Sequence, residues 1–154
     1  MSVRHLWIIG AGCALALIVL VAAIAAEDVQ LLATVDRPAI LTATPAKALE
    51  STGVDQPAQR VIVHVTGYRP PQEGGIRGIV KVQKPDGSEQ EIGSFGVFPD
   101  AAFNADPSHA RRYSFPLPKG LATGPVKLKV EVVPDKARGT GEGAQIEVGR
   151  AEIQ

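Results

Sequence analysis

Hydrophobic and polar positions alternate in short segments over most of this chain. Every second residue from Val126 to Val132 is Val or Leu, and the residues between them are charged. A period of two with one apolar face predicts a half-exposed antiparallel strand. In Arg60 to Gly67 both alternating sets are largely apolar, which predicts a central strand covered on both sides.

Proline and glycine divide the rest of the chain into similar Val- and Ile-rich segments. Pro85-Asp86-Gly87 is a tight-turn sequence, because proline fixes φ and glycine tolerates positive φ. No segment after residue 37 has a helical period, so the pattern predicts an all-β antiparallel β-sandwich of six to eight strands. The further predicted strands are one or two within Val29–Thr44, then Ile76–Lys84, Glu91–Phe98, Arg111–Phe115 and Ile146–Ile153. The polar segment Lys47–Gln59 is predicted to be a mobile connection.

The N-terminus follows a different pattern. An uncharged apolar run from Leu6 to Ala26 follows Arg4 and precedes Glu27. It fits a secretory signal cleaved after Ala25 or Ala26, and it is also long enough to remain as a membrane anchor. Both alternatives predict an exported protein, periplasmic or extracellular, with a signal or anchor helix at residues 1–26 and one domain at residues 27–154.

Charge and side-chain chemistry exclude several classes of function. The chain has 16 Lys and Arg against 16 Asp and Glu, so charge gives no reason to expect a nucleic-acid partner. Cys13 is the only cysteine, which rules out an internal disulfide. Beyond residue 26 the only histidines are His64, predicted to be hydrogen-bonded and half-buried in its strand, and His109 in a loop. No nucleophile with its base, carboxylate pair or metal cluster is evident, so we predict no catalytic, cofactor-binding or metal-binding residues and no enzymatic activity.

Several short motifs occur in an order that resembles a known family. The chain is similar to the small C-terminal β-domain of plant-type polyphenol oxidases and related tyrosinases, which is known for a Lys-Phe-Asp-Val motif. The similarity spans about residues 31–153. The matching segments are Asp36-Arg37-Pro38, the Val61–Val65 strand in place of Lys-Phe-Asp-Val, Gly93-Ser94-Phe95, Val130–Pro134 and Ile146–Gly149.

The resemblance implies a non-catalytic role. In that family the domain covers the active-site entrance of a dicopper oxidase without taking part in the chemistry. A coupled dicopper centre needs six histidines, and this chain has three. The resemblance therefore implies a freestanding accessory or shielding partner of a separate tyrosinase-like copper oxidase. The alternative is a structural or assembly module of the cell envelope, anchored in the inner membrane, that binds another envelope protein.

Either role needs a contact surface at the loops that end the domain. Aromatic side chains on such loops commonly anchor partners. The candidates for partner contact are Tyr68, Arg69, Phe103 and His109. The contrasting interpretation is that the aromatic residues pack over the open end of the core.

Overall fold

The computed structural model describes residues 31–45, 59–121, 124–135 and 137–154. All of its regular elements are strands, and these residues include no helix, so the all-β prediction is confirmed for this part of the chain. Nor do these residues contain a helix long and apolar enough to cross a membrane. The predicted signal or anchor, and the connection before Gln59, lie outside the described residues. The strands are β1 (Leu32–Thr34), β2 (Ala39–Pro45), β3 (Arg60–Arg69), β4 (Ile76–Gln83), β5 (Glu89–Phe95), β6 (Phe103–Asn104), β7 (Arg111–Pro116), β8 (Val126–Pro134) and β9 (Gln145–Ile153).

The nine strands are hydrogen-bonded in one mixed sheet. Its order is β5-β4-β8-β2-β9-β3-β6, with β7 beside β6 on the same edge of β3 and β1 on β9. All pairings are antiparallel except the one between β2 and β9, where Thr44 pairs with Glu152 and Pro45 with Ile153. Because β2 also pairs with β8, it connects two groups of strands. The parallel pairing and the two-residue strand β6 were not predicted, and nine strands exceed the six to eight expected.

Strand β3 is the centre of the fold. All eight residues from Val61 to Tyr68 are buried, with β9 along one edge and β7 and β6 along the other. The prediction of a central strand covered on both sides is confirmed. The half-exposed strand is confirmed too, because alternate β8 residues from Val126 to Val132 are buried in the core.

The predicted hairpin turn joins β4 and β5. The Gly87 N–H donates to the Lys84 carbonyl at 2.9 Å, and Gly87 has a φ of 82°, which favours glycine. The Asp86 carboxylate accepts hydrogen bonds from the N–H and hydroxyl of Ser88. These bonds set the register of the hairpin, with Gln83 opposite Glu89.

Aromatic side chains bring β5 and β7 together, although these strands are not paired in the described sheet. The Phe95 ring centroid lies 4.3 Å from that of Tyr113 and 6.1 Å from that of Phe115. Gly93 leaves room for Phe115, because a Cβ there would lie 2.6 Å from the ring. The sheet thus curls around one apolar core, and aromatic rings close the gap between β5 and β7.

Candidate functional site

Tyr68 and Phe103 form a cross-strand pair at the end of β3. Tyr68 lies opposite Phe103 of β6, and their ring centroids are 6.4 Å apart. Tyr68 is only 6% exposed, and its hydroxyl donates a hydrogen bond to the Asp100 carboxylate. The strand continues to Arg69, beyond its predicted end at Gly67, so Tyr68 belongs to the sheet. Tyr68 packs into the core. The partner-contact hypothesis had placed it on an exposed loop.

The environment of Tyr68 keeps its phenol protonated. Burial raises the pKa of Tyr68 most, and the hydrogen bond to Asp100 and the negative charge of Asp100 raise this pKa further. The hydroxyl is therefore a hydrogen-bond donor throughout the neutral range. Its role is to hold Asp100, and with it the loop that follows β5, against the end of β3.

Arg111 holds the same loop from its other side. The Arg111 Cζ lies 3.9 Å from the centroid of the Phe103 ring, in cation–π geometry. Its Nη1 donates to the Phe98 carbonyl at 2.9 Å. The backbone at Phe98 is thereby fixed while the residue is 88% exposed. We call Phe98, Phe103 and Arg111 the aromatic clamp.

The structure places His109 in a separate loop motif. The Ser108 hydroxyl donates to the Asp106 carboxylate, and His109 Nδ1 lies 3.1 Å from Ser108 Oγ and 3.0 Å from Asp106 Oδ2. A catalytic triad needs the serine and the carboxylate on opposite nitrogens of the imidazole, whereas here both contact Nδ1. The hydrogen bond from Ser108, followed by that from His109, lowers the pKa of Asp106. The motif is an exposed turn held by side-chain hydrogen bonds.

Arg69 lies beside a groove on the outer face of the sheet. The residue is exposed at the end of β3, and the groove has a volume of about 390 Å³. We call it the outer groove. Its lining residues are Leu32, Gly67, Tyr68, Arg69, Ala102, Phe103, Asn104, Gln145 and Glu147.

His64 forms a polar contact across the centre of the sheet. It is 4% exposed, more buried than predicted, and its Nε2 lies 3.3 Å from Glu152 Oε1. The predicted hydrogen bond is therefore present. Burial acts to raise the pKa of Glu152, but the hydrogen bond and charge of His64, with the charge of Arg150, outweigh it and hold this pKa below its ordinary value. Arg112 Nη2 lies 3.7 Å from the same carboxylate oxygen.

The structure thus distributes the four candidate contacts unevenly. Phe103 lies in the aromatic clamp, Arg69 borders the outer groove, Tyr68 supports both from within, and His109 belongs to the exposed turn. Across the described ranges, no group of three or more His, Cys, Asp and Glu residues is arranged to hold a metal ion.

Sequence reasoning missed two of the three clamp residues, Phe98 and Arg111. Phe98 was assigned to the end of a strand, but β5 ends at Phe95. The available signal was Pro99, because proline lacks the N–H of a strand ladder and restricts the residue before it. Arg111 gave no local signal, since its partners Phe98 and Phe103 are brought to it only by the fold.

No protein-family model, curated protein or solved structure matches this chain.

Proposed function

We propose that this chain is a non-catalytic exported protein whose domain at residues 27–154, a two-layer β-sandwich, binds another protein through the aromatic clamp. One observation carries the proposal: Phe98 is 88% exposed although its backbone is fixed by Arg111. A large apolar side chain gains free energy when a partner removes it from water. A fixed position limits the conformational entropy lost on binding.

The surroundings of Phe98 suit a binding centre. Phenylalanine and arginine are both enriched at protein–protein interfaces, and the clamp contains two phenylalanines and an arginine. Phe103 is half-buried, so the clamp rests on the core through its Tyr68 neighbour. A partner would meet a firm surface with one projecting side chain.

We infer that the partner is a tyrosinase-like copper oxidase. This part of the proposal is supported by the resemblance to the polyphenol oxidase C-terminal domain. Gly93-Ser94-Phe95 is among the resembling motifs, and the clamp begins three residues after it, at Phe98. In this proposal the chain is an accessory or shielding subunit that covers the oxidase and leaves the copper chemistry to it.

A second candidate function is a membrane-anchored structural or assembly module of the cell envelope. It is supported by the uncharged apolar run from Leu6 to Ala26, which is long enough to span a bilayer. The aromatic clamp would then bind an envelope protein near the inner membrane.

One experiment separates the two candidates. The tagged full chain is used to capture proteins from its own cell envelope, bound proteins are identified by mass spectrometry, and the intact mass of the bait is recorded. Capture of a histidine-rich copper oxidase supports the accessory function. Capture of structural envelope proteins alone, by bait that retains residues 1–26, supports the anchored module and contradicts the oxidase proposal.

A further inference from the structure

The outer groove has a polar floor built from four neighbouring strands. In the sheet register Asn104 lies opposite Gly67, Gly67 opposite Glu147, and Glu147 opposite Leu32. Directly opposed residues share a face, so these four residues form one row across β6, β3, β9 and β1. Two residues further along β3, Arg69 lies opposite Gln145 and faces the same side.

Gly67 is the low point of this floor. A Cβ at this position would lie 2.8 Å from Glu147 Oε2 and 3.1 Å from Glu147 Cβ. The carboxylate of Glu147 therefore lies over the glycine and within the groove. Any side chain at position 67 would force the Glu147 carboxylate to move.

The charged groups of the groove have no partner within the part of the chain that the structure describes. Among the described residues, neither Arg69 nor Glu147 forms an ion pair or a side-chain hydrogen bond. The amides of Asn104 and Gln145 also make no side-chain hydrogen bond to these residues. A guanidinium and a carboxylate in one groove that do not pair with each other are complementary to a ligand that carries both charges.

We propose that the outer groove binds a small zwitterion, an α-amino acid or a dipeptide. Arg69 binds the ligand carboxylate, because a guanidinium matches a carboxylate with two parallel hydrogen bonds. Glu147 binds the ammonium group, and Asn104 and Gln145 bind the amide. Leu32 contacts an apolar side chain of the ligand.

The size of the groove agrees with this ligand. Its volume of about 390 Å³ falls at the lower end of the range for small-molecule sites. The ion pairs remain partly solvated, which limits their strength. We therefore expect a dissociation constant on the order of 1 mM. This proposal is independent of the protein partner, since it does not use Phe98.

The test is a titration of the ¹⁵N-labelled full chain with L-alanyl-L-alanine, followed by backbone amide shifts. Saturable shifts are expected at Gly67, Arg69 and Gln145. Propionate and propylamine each carry only one of the two charges. Each is expected to bind at least about tenfold more weakly than the dipeptide, since each lacks one charge-assisted contact.

Three variants test the assignment of the groups. Arg69→Gln and Glu147→Gln are each expected to weaken dipeptide binding about tenfold. Gly67→Ala is also expected to weaken dipeptide binding, because the added Cβ displaces the Glu147 carboxylate. Its amide shifts outside the groove should match those of the natural chain. Arg77→Gln, which removes an exposed arginine from β4, a strand that contributes no residue to the groove, is the matched control and is expected to bind as the natural chain does.

Three results would overturn the proposal. The first is no saturable shift up to the solubility limit of the dipeptide. The second is equal binding of propionate or propylamine, which would show that only one charge is recognised. The third is unchanged affinity in both Arg69→Gln and Glu147→Gln while the spectrum shows a folded chain.

Discussion

Tyr68 and Arg111 are the two residues that fix the loop carrying Phe98. Tyr68 donates to Asp100 from within the core, and Arg111 donates to the Phe98 carbonyl from β7. Both acceptors lie in the loop between β5 and β6, so the two bonds tie this loop to β3 and to β7. The exposed position of Phe98 is therefore a consequence of packing elsewhere.

Removing the Tyr68 hydroxyl should destabilise the protein. Tyr68→Phe keeps the ring against Phe103 but deletes the hydrogen bond to Asp100. We expect a loss of about 1–2 kcal/mol in the free energy of unfolding, measured by urea denaturation, because the lost bond is to a charged group. In a double-mutant cycle, Asp100→Ala should cost little more once Tyr68→Phe is present. Additive losses would contradict the assigned bond.

The same bond predicts a pH dependence above pH 10. The folded pKa of Tyr68 is raised above its ordinary value of 10.0, so the associated stability is present below pH 10 and is lost as the pH rises towards the folded value. The free energy of unfolding should therefore fall more steeply between pH 10 and 11 in the natural chain than in Tyr68→Phe. Equal slopes would show that Tyr68 is not buried as described.

At the scale of strands, the contact between β5 and β7 depends on a missing side chain. Gly93→Ala would place a Cβ 2.6 Å from the Phe115 ring. The ring cannot move away freely because Phe95 packs beside it. We expect a loss of about 1–3 kcal/mol in the free energy of unfolding.

Gly96→Ala is the matched control for this contact. A Cβ at Gly96 would meet nothing within 4 Å. The thermal denaturation midpoint of Gly96→Ala should therefore be close to that of the natural chain. If the two variants have the same stability, the aromatic contact between β5 and β7 does not restrict position 93.

The link between β3 and β9 should weaken in acid. The pKa of Glu152 lies below its ordinary value of 4.5, chiefly through His64, so its contribution is present above pH 4.5 and is lost as the pH falls through the folded pKa. Glu152→Gln cannot titrate, and its free energy of unfolding should fall less between pH 5 and pH 3. Glu142→Gln, at an exposed turn, is the control, and its free energy of unfolding should fall between pH 5 and pH 3 as in the natural chain. The same fall in Glu152→Gln would contradict the assigned contact between Glu152 and His64.

The strands that sequence patterns identified share one property: the burial of their residues follows the order of apolar and polar residues in the sequence. β8 alternates and β3 is buried on both faces, so both follow from side-chain hydrophobicity alone. β6 has two residues, which is too short for any period. The parallel pairing of β2 with β9 joins residues far apart in sequence and depends on the curvature of the whole sheet, which no local pattern records.

The candidate site was predictable only in part, for the same reason. Phe103 and Arg69 were identified because aromatic and basic residues near turns stand out in the sequence. Tyr68 was misplaced because two further residues of β3 carry it into the core. Phe98 became visible only when the sheet brought Arg111 to its carbonyl.

At the scale of the whole molecule, the fold presents two distinct outer features near the end of β3. The aromatic clamp offers one projecting ring, and the outer groove offers separated charges around a glycine. The balanced charge of the chain gives no long-range attraction to a polyanion, so both proposals rest on local contacts at these two surfaces. The central claim is that Phe98 is the anchor for the oxidase partner.

The most direct test is capture of the copper oxidase by the natural chain, by Phe98→Ala and by Ile40→Ala. Ile40 is the matched control, because it is an apolar residue 50% exposed on β2, away from the clamp. A buried aromatic anchor contributes at least about 2 kcal/mol to an interface, which corresponds to a loss of affinity of more than tenfold. We predict that the natural chain and Ile40→Ala capture the oxidase and that Phe98→Ala does not. Capture by Phe98→Ala equal to that by the natural chain, or no oxidase captured by any of the three, would contradict the account.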